Sequence, residues 1–117
     1  MCGIIGISSN KSVSANIINS LKKLEYRGYD SAGVATLFDG EINEVKSEGR
    51  VDNLEQNFDL KSLKGNIGIG HVRWATHGVP NSINAHPHSS DNVSVVHNGI
   101  IENSTILKKH LINKGHT

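Results

Sequence analysis

The chain has no second cysteine to pair with Cys2, so no internal disulfide can brace it, and a lone thiol fits a reducing compartment. It has no excess of either charge. Twelve basic against 11 acidic residues leave +1 overall, with neither a basic stripe for nucleic acid nor a polybasic segment for an anionic membrane. No apolar run approaches the length of a membrane span, and the first residues lack the charged and apolar regions of a secretory signal. Secretion and membrane insertion are therefore not expected, and the cytoplasm is the default compartment. No repeat or low-complexity linker divides the 117 residues, and 36% hydrophobic residues suffice for one modest core.

What is present reads as one α/β unit. Ile4 to Ile7 suits a buried strand, and Val13, Ile17, Leu21 and Leu24 then recur near the helical period with Lys22 and Lys23 turned outward. Val34 to Phe38 and Glu41 to Lys46 read as two strands joined at Asp39-Gly40, a pair that tolerates the positive φ of a tight hairpin turn. Val51, Leu54 and Phe58 line a short helix, while Gly65 to Val72 and Val93 to His97 are strand candidates. The spacing of Ile106, Leu107 and Leu111 predicts a helix over 103–114, capped by Asn103 or Ser104 and stopped by Gly115.

Chemistry-bearing residues collect between these elements. Cys2 directly follows Met1, so removal of Met1 would place a thiol and a free α-amine on one residue. The thiolate is the attacking form of cysteine, and an α-amine titrating at about 7.7–8.0 takes a proton at neutral pH, so the pair can serve as nucleophile and base. The plainer alternative is an inert small residue near a terminus. In Glu25-Tyr26-Arg27-Gly28-Tyr29-Asp30-Ser31-Ala32-Gly33, a capped turn with a surface ion pair is the simpler reading. In His71-Val72-Arg73-Trp74-Ala75-Thr76-His77-Gly78, the guanidinium fork suits a carboxylate, Trp74 can close over a ligand, and Thr76 and His77 add donors for a small amino acid. Equally, Trp74 can be a core residue with Arg73 beside it.

Two further segments complete the set. Asn84-Ala85-His86-Pro87-His88 raises a metal site, with His71, His77 or His97 as further ligands. No clear carboxylate or second cysteine joins the pair, and the alternative is a Pro87 turn whose histidines hydrogen-bond locally. In Val93 to Asn103, an apolar strand runs into Asn98-Gly99. That dipeptide is a turn signal, yet its carboxamide NH2 and unobstructed backbone N–H are two donors able to meet on one oxygen, as thiol addition to an amide carbonyl requires.

Together these segments closely resemble the amino-terminal glutaminase domains of the glutamine:fructose-6-phosphate amidotransferases, or glucosamine-6-phosphate synthases, along the whole chain. These are class II glutamine amidotransferases of the N-terminal nucleophile hydrolase type. The likeness rests on Met1-Cys2-Gly3-Ile4, on the stretches 25–33, 73–78 and 84–88, and on His97-Asn98-Gly99-Ile100-Ile101-Glu102-Asn103. It implies a layered αββα sandwich, Cys2 as nucleophile with its own amine as general base, and Asn98 and the Gly99 N–H as oxyanion donors. Arg73 would bind the glutamine α-carboxylate with Thr76 and His77 nearby, Trp74 would gate the site, and Arg27 would sit close to Cys2. It implies no metal and no cofactor.

The domain in that family is considerably longer than this chain. The later acid that holds the substrate α-ammonium has no position here, nor do the isomerase domains that take fructose 6-phosphate. The expectation is a truncated or split front portion over 1–117, with a complementary chain as partner or, alternatively, a noncatalytic fragment.

Overall fold

The computed structural model describes residues 2–74 and 83–117. A four-stranded antiparallel sheet is built from β1 (Gly3–Ser8), β2 (Ser31–Phe38), β3 (Glu41–Glu48) and β4 (Ile67–Arg73), in the order β1-β4-β2-β3. The hairpin between β2 and β3 turns at Asp39 and Gly40, whose φ values of 52° and 76° are the left-handed pair that a tight two-residue turn needs.

One face of the sheet carries α1 (Ser14–Leu24) and α2 (Val51–Asn57). Val13, Ile17, Ile18 and Leu21 bury the predicted apolar stripe of α1 together with Val34 and Val72 of the sheet. The helix can lie this low because β4 presents glycines to it. A Cβ on Gly68 or Gly70 would stand 2.6 Å from the Ile17 side chain. Outside the core, Lys22 pairs with both Asp52 and Glu55 of α2. The start of α2 is capped by Glu25, whose carboxylate accepts from the Val51 N–H at 3.0 Å and from Arg50 at 3.1 Å. Phe58 does not join the α2 stripe, because the backbone there is already extended (φ −134°, ψ 146°) and leaves the ring 38% exposed.

On the opposite face, the chain around His86 crosses β2. Its carbonyl oxygen occupies the space that a side chain at position 33 would need, so Gly33 is what admits it. This segment leads into a small hairpin, β5 (His88–Ser90) and β6 (Val93–Val95), whose Ser89 hydroxyl donates to Glu44 of β3. Asp91, at φ 48°, makes that hairpin's turn. Asn98-Gly99 therefore sits in a bend after β6, not in a hairpin, and the strand expected over 93–97 stops at Val95.

The predicted last helix is α3 (Ser104–Asn113). Asn103 makes no side-chain cap bond, but Gly115 (φ 91°) closes the other end, with its N–H on the Ile112 carbonyl and that of His116 on the Leu111 carbonyl. The apolar stripe of α3 is uncovered, with Ile106 71% exposed. Among the described residues, no helix is long and apolar enough to cross a membrane.

The fit of α1 onto β4 is directly testable. Gly70→Ala should lower stability by about 1–3 kcal/mol, since a methyl there meets Ile17, Ile5 and Leu21 at once. Urea unfolding of the chain should show a lower midpoint with an unchanged slope.

Candidate active site

Strand register decides where the thiol lies. Gly3 pairs with Val72 across β1 and β4, so Cys2, one residue earlier, stands beside the end of β4 where Arg73 passes into Trp74. The Trp74 backbone N–H reaches Cys2 Sγ at 3.4 Å, and the Trp74 carbonyl lies 3.8 Å from the same sulfur. Arg27 holds the other side of the residue, its Nε donating to the Cys2 carbonyl at 3.0 Å. Arg27 is delivered by the short 3-10 turn Glu25–Arg27 at the end of α1. Gly28 then lets the chain pass against β4, since a Cβ there would fall 2.5 Å from the Arg73 carbonyl carbon. This hydrogen bond from Arg27 thus ties the residue before β1 to the turn that follows α1.

Cys2 opens onto a cleft of about 400 Å³ that is also lined by Arg73, Trp74, His97 and Gly99. Arg73 is a buried cation, 8% exposed, and Trp74 is half exposed at the rim. The indole meets Tyr29 edge-to-face at 6.0 Å, and the Arg50 guanidinium covers the Tyr29 ring at 4.7 Å, so Trp74 has an aromatic and a cationic support behind it. Gly99 adopts φ 148°, a conformation that side chains rarely take, and a Cβ would stand 3.3 Å from the His97 ring.

The inner wall is a group of imidazoles. His71 on β4 stacks on His86 with centroids 4.4 Å apart and planes at 26°, and His86 meets His88 edge-on at 4.4 Å. His71 Nε2 is 2.8 Å from Asn98 Oδ1. Burial is the main force lowering the His71 pKa, with Arg73 and His88 adding to it and the Asn98 bond and Asp30 opposing. Burial likewise brings His86 down to about 4, reinforced by its imidazole neighbours. His88 is lowered too, first by burial and then by Lys46. The wall of His71, His86 and His88 is therefore neutral near pH 7, and the Arg73 guanidinium lines the same cleft.

Among the site residues picked from the sequence, Cys2, Arg73, Trp74 and Gly99 border one cleft, Asn98 joins it through His71, and Arg27 lies behind Cys2. Thr76 and His77 fall outside the described residues. In the 84–88 segment His86 and His88 pack edge-on against each other and His86 stacks on His71, and among the described residues the buried Nδ1 atoms of His71 and His86 have no partner. No group of three or more His, Cys, Asp or Glu side chains able to hold a metal occurs among the described residues. Sequence reasoning missed the contact of His71 with Asn98. Its one trace was Gly33, which faces His71 across β2 and β4 and admits the His86 segment.

Known proteins resemble this arrangement. No protein-family model matches the chain. It is 58% identical over 118 residues to the glutamine–fructose-6-phosphate aminotransferase (isomerizing) of Clostridium acetobutylicum, covering 99% of this chain and 19% of that protein. The like-named protein of Mesorhizobium japonicum is 56% identical over 116 residues, again 99% of this chain and 19% of its own length. The chain thus spans about a fifth of these curated relatives. Among solved structures, the glutamine phosphoribosylpyrophosphate amidotransferase of B. subtilis, in complex with ADP and GMP, superimposes with a TM-score of 0.80 at 30% identity, over 100% of this chain and 26% of that one. The layered α/β fold is that of a glutamine amidotransferase domain with an N-terminal nucleophile.

The imidazole wall makes stability depend on pH. A histidine whose pKa is lower folded than unfolded binds more protons when unfolded, so its contribution is complete above about 6.5 and is lost as pH falls toward the folded value, about 4 for His86. The urea midpoint should therefore drop between pH 6.5 and 4, and His86→Gln should flatten that slope. An unchanged slope would contradict the neutral wall.

Proposed function

We propose that this chain, related over its length to glutamine–fructose-6-phosphate aminotransferases, hydrolyses the amide of glutamine with Cys2 as nucleophile, and that the ammonia serves to make glucosamine 6-phosphate from fructose 6-phosphate. The observation that carries the reading is the placement of the only thiol. It is held between the Trp74 backbone and Arg27 at the mouth of a cleft that also contains buried Arg73 and Gly99.

In the proposed reaction, removal of Met1 frees the Cys2 α-amine, which takes the thiol proton as the sulfur adds to the amide carbon. Negative charge develops on the amide oxygen, where the Asn98 carboxamide NH2 and the Gly99 N–H donate to it. Collapse of that intermediate breaks the C–N bond, and the ammonium of Cys2 returns the proton to departing ammonia. A thioester between Cys2 and the glutamyl group remains. Water then adds to it through the same oxyanion and releases glutamate. Arg73 receives the substrate α-carboxylate in a two-point contact, and Trp74, hinged on Tyr29, covers the bound amino acid.

A second reading, a noncatalytic portion that works only with further chain or a complementary chain, is favoured by one observation. The stripe of α3 that carries Ile106, Leu107 and Leu111 is exposed to solvent. On that reading, glutamine turnover by residues 1–117 alone is negligible and returns when the remainder is supplied.

In the full-length protein that carries this segment, Cys2→Ala should abolish glutamine hydrolysis, and intact mass should show Met1 removed and one adduct of an electrophilic glutamine analogue on Cys2. An active preparation that retains Met1 would remove the α-amine from the mechanism. Asn98→Ala should lower kcat by about 10²–10³, the usual effect of losing one preorganised oxyanion donor. Arg73→Lys should instead mainly raise KM for glutamine, since a point charge replaces a planar fork. Equal losses of kcat in both variants would undo this division of roles.

A further inference from the structure

We infer that His71 is a positioning residue for the oxyanion donor: its neutral imidazole, buttressed by His86, donates from Nε2 to Asn98 Oδ1 and so turns the Asn98 NH2 toward the reacting carbonyl. The inference rests on the glutaminase reading above and names a residue that this reading left unused. Its basis is geometric. A carboxamide has two faces of opposite character, and only one orientation presents NH2 to an oxyanion. The 2.8 Å contact engages one end of the Asn98 amide, so the partner's proton decides which end faces the substrate.

The proton's position on His71 follows from burial. His71 is fully buried on β4, and among the described residues its Nδ1 has no partner. Placing the hydrogen on Nδ1 would bury an unpaired N–H, whereas placing it on Nε2 pairs that hydrogen with Asn98 and leaves only a lone pair unmatched. With Nε2 as donor, Asn98 must offer its oxygen inward and its NH2 outward. The His86 ring, stacked at 4.4 Å, prevents His71 from tilting away, and it reaches that position because Gly33 lets the 83–88 segment rest on β2 directly beside His71. Asn98 itself lies in an exposed stretch after β6, and among the described residues it is this bond to His71 that orients its side chain.

The test is a double-mutant cycle in the full-length protein, read by glutamine hydrolysis. His71→Leu removes the donor and should lower kcat about 10- to 100-fold, less than removing the Asn98 donor itself, with KM for glutamine nearly unchanged. His71→Gln, whose amide nitrogen falls near the Nε2 position, should restore most of kcat, a rescue that a purely packing role would not give. Should His71→Leu misfold, His71→Asn replaces it, since its shorter amide reaches only the Nδ1 position and should be as impaired. Adding Asn98→Ala to the impaired variant should cost no more than Asn98→Ala alone. Alkylation of Cys2 by iodoacetamide should proceed at the wild-type rate throughout, showing that the thiol is intact. Full kcat in His71→Leu, additive losses in the cycle, or failure of His71→Gln to rescue would each overturn the role of His71. If Cys2→Ala and Asn98→Ala leave hydrolysis untouched, the glutaminase reading fails, and the role of His71 falls with it.

Discussion

The pairing of β1 with β4 governs where everything else in the site must go. Gly3 opposite Val72 sets the thiol of Cys2 against the backbone of Trp74, and a slip of one residue would send it to the other face of the sheet. That register is held from the opposite side by β2, which pairs Ala32 with Val72 and Ser31 with Arg73. β4 therefore lies between β1 and β2 and carries His71, Arg73 and, just beyond its end, Trp74. A residue at a chain terminus is ordinarily free to fray. Here the ladder, together with the hydrogen bond from Arg27, confines it.

Glycine makes the close approaches that this arrangement needs. On one face, Gly68 and Gly70 let Ile17 press against β4, so that α1 anchors the strand. On the other, Gly33 admits the His86 carbonyl, and in the turn after α1 Gly28 admits the end of β4. Each approach brings polar backbone or apolar side chain to within van der Waals distance of the sheet, and a single methyl would push it away. The strand that carries the site is thus sandwiched between α1 and the imidazole segment, and the site inherits its rigidity from both.

The cleft combines one buried cation with a wall of neutral aromatic nitrogens. Desolvation disfavours protonating His71 and His86, and the nearby Arg73 charge acts in the same direction. A wall of this kind adds no further positive charge beside Arg73. It also supplies hydrogen-bonding nitrogens without adding competing charge near the thiol.

Local order along the chain was legible in the sequence because it rests on short-range rules. The apolar spacing of Val13, Ile17 and Leu21, the Asp39-Gly40 turn and the Gly115 stop each depend on residues a few positions apart, and the structure contains all three elements. The candidate groups were visible as residue types, a thiol after Met1, the arginine and tryptophan at 73–74 and Asn98-Gly99, and Cys2, Arg73, Trp74 and Gly99 border one cleft. The turn at Asp91 and the early end of α2 before Phe58 were missed, and the cap that Glu25 places on α2 was not legible because its partner is distant in sequence. The same holds for the inner wall. Seven histidines in the chain suggested a metal, yet strand pairing places His71 27 positions before Asn98 and in contact with it, with His86 stacked behind. Residue identity determined which nucleophilic and polar groups the chain carries. Only the tertiary structure decided which of them meet, because the register of β4 and the space left by Gly33 are properties of packing between segments, and no local pattern encodes them.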